Sequence, residues 1–192
     1  MWNLGLLGAA GGKLETAYDL LTTQILPGNS STVTFNNLNT YAANYQHLQI
    51  RISARSSRPA TNGNYYLRFN GDTGSNYSTY YMRGTGTDTE SAAIQQSDGP
   101  GLYVYQGVTA ATHNSGTFAA GVIDINDPFE TTKFTTCKIM TGYAGSAIDR
   151  ILLESGLWAA TAAVDSITFE EFFGYSFVTG SRFSLYGLGK KV

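Results

Sequence analysis

Residues 47–55 read HLQIRISAR, and their alternation decides the fold class. Leu48, Ile50 and Ile52 fall on one side of an extended chain, and Gln49, Arg51 and Ser53 on the other. A period of two is the signature of a strand with one face in a core. A second stretch, FAAGVIDINDPF at 118–129, is apolar on both sides: Phe118, Ala120 and Val122 alternate with Ala119, Gly121 and Ile123. It is expected to be a central strand buried on both faces.

Working outward, further short runs rich in Tyr, Phe, Ile, Val and Thr read as strands. They cover residues 18–25, 32–36, 65–69, 77–83, 102–108, 134–143, 151–157, 166–169 and 182–186. Asn62-Gly63 and Asn70-Gly71 supply turn chemistry between them. The one helical candidate is WAATAAV at 158–164, a turn at most. Eight to ten strands at this spacing predict an all-β fold, a jelly-roll-like two-sheet sandwich, with a closed barrel as the alternative. A length of 192 residues suits one such domain. The chain divides into residues 1–15, apolar and Gly-rich, and a β domain over 16–192.

Composition narrows the function classes. Only 14% of residues are charged, against 22 Gly, 13 Tyr and 10 Phe. That balance suits strands joined by tight loops. Twelve basic and fourteen acidic residues give a net charge of −2, with no basic stripe for a nucleic-acid backbone. The lone Cys137 reads as a small core residue. The opening MWNLGLLGAAGG lacks basic residues ahead of its apolar run, unlike a signal peptide, and the run is too short to insert across a membrane. Trp2, Leu4, Leu6 and Leu7 therefore read as a docking segment that something else covers. Burying them is worth roughly 1.5–3 kcal/mol each. Ordering the segment offsets much of that, so anchoring calls for several copies.

Enzyme chemistry finds little support in the residues. His47 and His113 stand at no nucleophile-motif spacing, and Glu170 and Glu171 are strand neighbours that point to opposite faces. No catalytic residue, cofactor or metal site is nominated. Asn70, Asp72 and Asn76 in NGDTGSN offer oxygen ligands but read as a plain turn. Seven tyrosines, Tyr65, Tyr66, Tyr77, Tyr80, Tyr81, Tyr103 and Tyr105, divide between core, subunit interface and a carbohydrate platform. Tyr66, Tyr80, Tyr81 and Asn76 are the candidate glycan contacts. Arg51, Arg55, Arg58, Arg68 and Arg83 divide in the same way between ligand contacts and pairs with residues such as Asp124 or Asp127.

The succession TVTFNNL (32–38), YQHLQIRISAR (45–55), YYLRFNGDTGSNYSTYYMRG (65–84), GVIDINDPFETTKFTTCKIMTGY (121–143), LESGLWAATAAVDSITF (153–169) and GSRFSLYGL (180–188) resembles small virion structural proteins of tailed bacteriophages, of marine and cyanobacterial type. In that group a start of the type LGLLGAA precedes one β-sandwich. The resemblance implies a non-enzymatic virion protein with no catalytic residues, of tail-fibre, tail-tip or head-decoration kind. The expectation is a tail-associated adhesin, docked to other virion proteins by its amino-terminal segment and meeting a host surface glycan; the low charge and abundant Tyr of the composition add the expectation that it self-associates as a trimer. A capsid decoration protein is the alternative.

Overall fold

The computed structural model describes residues 17–85, 89–90, 96–145 and 149–190; the docking segment with Trp2, Leu4, Leu6 and Leu7 lies outside the described residues. The strands are β1 Tyr18–Ile25, β2 Thr32–Phe35, β3 Tyr45–Ala54, β4 Asn62–Phe69, β5 Tyr77–Thr85, β6 Thr89–Glu90, β7 Gln96–Gly99, β8 Leu102–Thr109, β9 Ala119–Asn126, β10 Thr135–Tyr143, β11 Arg150–Trp158, β12 Ile167–Glu171 and β13 Arg182–Lys190. They form two antiparallel sheets packed face to face. The larger runs β1-β13-β3-β9-β10-β11-β5-β6, with β7 also on β5, and the smaller runs β2-β12-β4-β8.

The topology follows from nested pairing. β1 pairs with β13, β2 with β12, β3 with β9 and β4 with β8, all antiparallel. This is one long hairpin whose successive strand pairs fall alternately in the two sheets. Pairing of β13 with β3 and of β12 with β4 then rolls it into a jelly roll. Two insertions, β5–β7 after β4 and β10–β11 after β9, both extend the larger sheet beyond β9.

Alternation along each strand fills the core between the sheets. Ile50 and Ile52 of β3, Leu67 and Phe69 of β4 and Phe169 of β12 are all buried in one core cluster. Phe183 lies 4.9 Å from Phe169 and 5.3 Å from Phe177, ring centre to ring centre. Both separations fall in the range of favourable aromatic pairs. Cys137 is a buried core residue, its thiol pushed up to about 12 by burial. A Cβ on the facing Gly156 would stand 2.7 Å from the Cys137 sulfur and 2.9 Å from Leu102. Only glycine lets the sheets close here.

One expectation is narrowed and one is corrected. Residues 159–164 form no helix, because their amides serve tertiary bonds: the Ala159 N–H donates to the Asn76 carbonyl and the Val164 N–H to the Pro128 carbonyl. The one helix among the described residues is a 3-10 turn at Leu38–Tyr41, entered through Asn37 in the left-handed region. Strand β9 is central in its sheet, but only its inner side is buried. Ala120 and Asn126 are exposed on the outer side, and Val122 and Asp124 partly so.

Glu154 breaks the pattern of an apolar core. Alternation points it inward from β11, and its carboxyl oxygens have no hydrogen-bond partner of good geometry. Burial outweighs the weak help of the Tyr105 backbone and pushes the carboxyl well above the usual carboxylate range. The native state therefore holds this proton to higher pH than the unfolded chain does. Its contribution to stability is full below the unfolded value and declines as pH rises from about 4.5 toward the native value. Glu154→Leu is expected to raise stability at pH 7 by about 1–3 kcal/mol and to remove this decline, as measured by thermal unfolding across that pH range.

Candidate functional site

The outer face of the smaller sheet carries an aromatic cluster. Alternation in β4 sends Tyr65, Leu67 and Phe69 into the core and leaves Tyr66 and Arg68 outward. In β8 it buries Leu102 and Val104 and leaves Tyr103 and Tyr105 outward. Tyr66 and Tyr103 are direct register partners with ring centres 5.8 Å apart. Phe172, just past β12, lies 5.1 Å from Tyr66 and 4.8 Å from Tyr103, and Phe173 follows at 4.7 Å.

A buried carboxylate positions the two phenylalanines. Glu171 accepts hydrogen bonds from the Ser56 hydroxyl at 3.0 Å, the Phe173 N–H at 2.8 Å and the Tyr175 N–H at 3.0 Å. These bonds fold residues 171–175 into a turn, and the Phe172 N–H donates to the Asn64 carbonyl at 3.0 Å. The turn leaves Phe172, Phe173 and Tyr175 open to solvent on the platform's edge.

A β-bulge carries the row around the sheet edge. The β4–β8 register passes from Gly63↔Val108 to Tyr65↔Val104, so Tyr105, Gln106 and Gly107 oppose Asn64 alone. Gln106 sits in the left-handed region at φ 51°. It is held there by its N–H donating to Asn64 Oδ1 at 2.8 Å and by Arg83 donating to its Oε1 at 3.0 Å. The Asn64 amide also donates to the Tyr103 hydroxyl, and burial pushes that phenol up to about 12. Tyr105, re-aimed by the bulge, stacks on Tyr81 at 5.1 Å.

Three arginines border the rings. Arg58 lies 3.6 Å from the Phe173 ring centre, Arg68 4.7 Å from Tyr66 and Arg83 5.4 Å from Tyr105. Each is within reach of a favourable cation–ring contact. Arg68 also pairs with Glu170. Flat rings cover the apolar faces of sugars, while guanidinium and hydroxyl groups meet their oxygens.

The four candidate contacts are not brought together. Tyr66 is in the platform. Tyr81, on the other sheet, is buried and stacked on Tyr105, while its neighbour Tyr80 projects from that sheet's outer face, as adjacent strand residues must. The Asn76 amide is bonded to Asp72 at 2.9 Å. Tyr65 and Tyr77 are core residues. Tyr103 stands among the tyrosines expected from sequence, whereas Phe172 and Phe173 do not. Their signal is the doublet FF closing a strand and followed by Gly174.

The remaining candidates serve the fold. Asp72 accepts from the Trp158 indole at 2.8 Å, from Asn76 and from the Gly74 N–H at 2.8 Å, and the indole bond leads in holding its carboxyl below the usual range. Asn70 Oδ1 accepts from the Asp165 and Ser166 amides. The loop's oxygens are thus turned to protein donors. Arg55 donates to the carbonyls of Ala111, His113, Asn114 and Thr117, pinning the loop between β8 and β9. The Arg51 guanidinium lies 4.7 Å from the Tyr186 ring centre and 5.2 Å from that of Tyr18. His113 is buried edge-on against Tyr143, and His47 Nδ1 accepts the Asp127 N–H at 3.0 Å. Glu170 faces outward and Glu171 inward, so the two carboxylates do not converge.

The bulge is sterically demanding. A Cβ on Gly107 would stand 2.6 Å from Val104 and 2.8 Å from the Tyr65 ring. Gly107→Ala is expected to cost about 1–3 kcal/mol, read by chemical denaturation, and to move Tyr105 off Tyr81, read in the near-ultraviolet dichroism.

No protein-family model, curated protein or solved structure matches this chain.

Proposed function

We propose that this protein is a non-enzymatic structural component of a phage particle, a tail-associated adhesin whose β domain meets a host surface glycan through the platform of Tyr66, Tyr103, Phe172 and Phe173. The observation that carries the reading is the continuous row of rings on the smaller sheet, edged by Arg58, Arg68 and Arg83. The stretches resembling small phage virion proteins support the setting. Trp2, Leu4, Leu6 and Leu7 would hold the chain on the particle. One platform binding weakly suffices when copies are repeated in a symmetric assembly, because later contacts form at high effective concentration.

Capsid decoration is the second reading, and one observation favours it: the larger sheet also presents an exposed apolar face suited to packing against protein. Copy number separates the two, tens on a tail and hundreds on a head.

The test is calorimetric binding of the purified protein to isolated bacterial surface polysaccharides, chosen from strains whose cells the protein coats. Tyr66→Ala and Phe172→Ala are each expected to weaken binding by about 1–3 kcal/mol while leaving the unfolding temperature within a few degrees. Absence of binding to cells and to every polysaccharide, combined with hundreds of copies per particle, would replace the adhesin with the decoration protein.

A further inference from the structure

The outer face of the larger sheet is apolar where the insertions lie. From β9 the register sets Val122, Met140, Leu153 and Met82 side by side across β9, β10, β11 and β5. The next row holds Ala120, Gly142, Ile151 and Gly84. Ile151 is 61% exposed, and Tyr80, Met82, Met140 and Leu153 are between 48% and 53% exposed. Strand β9 adds Ala120, exposed, and Val122, partly exposed, to this face. The face ends at β3, where Arg51 and Ser53 take the outward positions.

Shape and size point to what covers it. Ile151, Leu153, Met82 and Tyr80 stand as a ridge on β11 and β5. Beside it, Ala120, Gly121 and Gly142 floor a groove of about 450 Å³ between Arg51 and Ile151. The groove lies over β9 and β10 and the ridge on β11 and β5, with Ile151 at their boundary, so a two-fold axis lying in the face along the seam of β10 and β11 sets the ridge of each copy in the groove of the other. The charged groups of the face have partners within the chain: Lys138 stands opposite Asp124 in the register, Asp124 accepts from the Gln49 amide, and Arg51 at the groove wall lies over the Tyr186 and Tyr18 rings. Four strands at about 4.8 Å spacing and three outward rows, the third being Asp124, Lys138, Ser155 and Tyr80, give a face roughly 20 Å by 20 Å, on the order of 400 Å² before corrugation. With side-chain relief and the adjoining β3 rim, this approaches the roughly 600 Å² per partner at the lower end of specific interfaces.

We infer that the outer face of β9, β10, β11 and β5 is the contact between two copies of this chain, packed sheet against sheet about a two-fold axis. The inference stands independently of the glycan reading, which concerns the other sheet. It also differs from the trimer expected from composition, because a face holding ridge and groove side by side is complementary to itself.

Sedimentation equilibrium and light scattering on the full chain test it. The wild type is expected to be a dimer at micromolar concentration. Leu153→Lys on the ridge and Ala120→Arg in the groove are each expected to weaken dimerisation at least tenfold, with unchanged circular dichroism and unfolding of the monomer. Two sites several strands apart guard against one variant that misfolds. A wild-type monomer at tens of micromolar, an oligomer other than a dimer, or a dimer untouched by both variants would overturn the inference.

Discussion

Everything in this molecule depends on the antiparallel pairing of the chain's two halves, β1 with β13 and inward to β4 with β8. That nesting places successive pairs in alternate sheets and makes a core between them, at the cost of closing very long loops. Both insertions then join the same sheet, so the larger sheet overhangs the smaller. Strand β8 of the smaller sheet faces these inserted strands, and side chains from both sheets fill the space between. The stacked set of Phe69, Tyr77 and Trp158 closes one part of it, and Tyr81 stacked on Tyr105 closes another. Glu154, pointing into this region from β11, marks where polar chemistry enters the interior.

The same asymmetry gives the two outer faces different chemistry. The smaller sheet presents aromatic rings with arginines and hydroxyls, groups that bind flat and partly polar ligands. The larger sheet presents Ile, Leu, Met and Tyr around a glycine-floored groove, a surface suited to another sheet. A protein with both can assemble through one face and keep the other open. Glu171 links the core to the aromatic face, since its buried carboxylate orders the backbone that carries Phe172 and Phe173.

Local periodicity makes the strands legible. Residues 18–25 correspond to β1, and 47–55 to most of β3, because alternation reports directly which side faces a core. Periodicity carries no information on which strands pair, so Tyr66 and Tyr103, direct partners in space, are in sequence only two members of a longer tyrosine list. Tyr80 and Tyr81 show the opposite failure: adjacency suggests one surface, while the pleat sends them to two. The alanines at 159–163 favour a helix by propensity, but the Ala159 bond to Asn76 and the Val164 bond to Pro128 hold the stretch in an irregular path, a tertiary constraint that outweighs intrinsic preference. The short strands β6 and β7 have no legible pattern, being too brief for alternation to register.

The central claim is that the two faces have separate duties, recognition on the smaller sheet and assembly on the larger. It is tested most directly by an image of the intact particle at a resolution that places this domain. The expected result is a domain on the tail whose Tyr66, Phe172 and Phe173 face solvent and whose Met82, Met140 and Leu153 are buried against a neighbouring copy. A domain with the aromatic face packed onto the shell and the apolar face bare to solvent would contradict it.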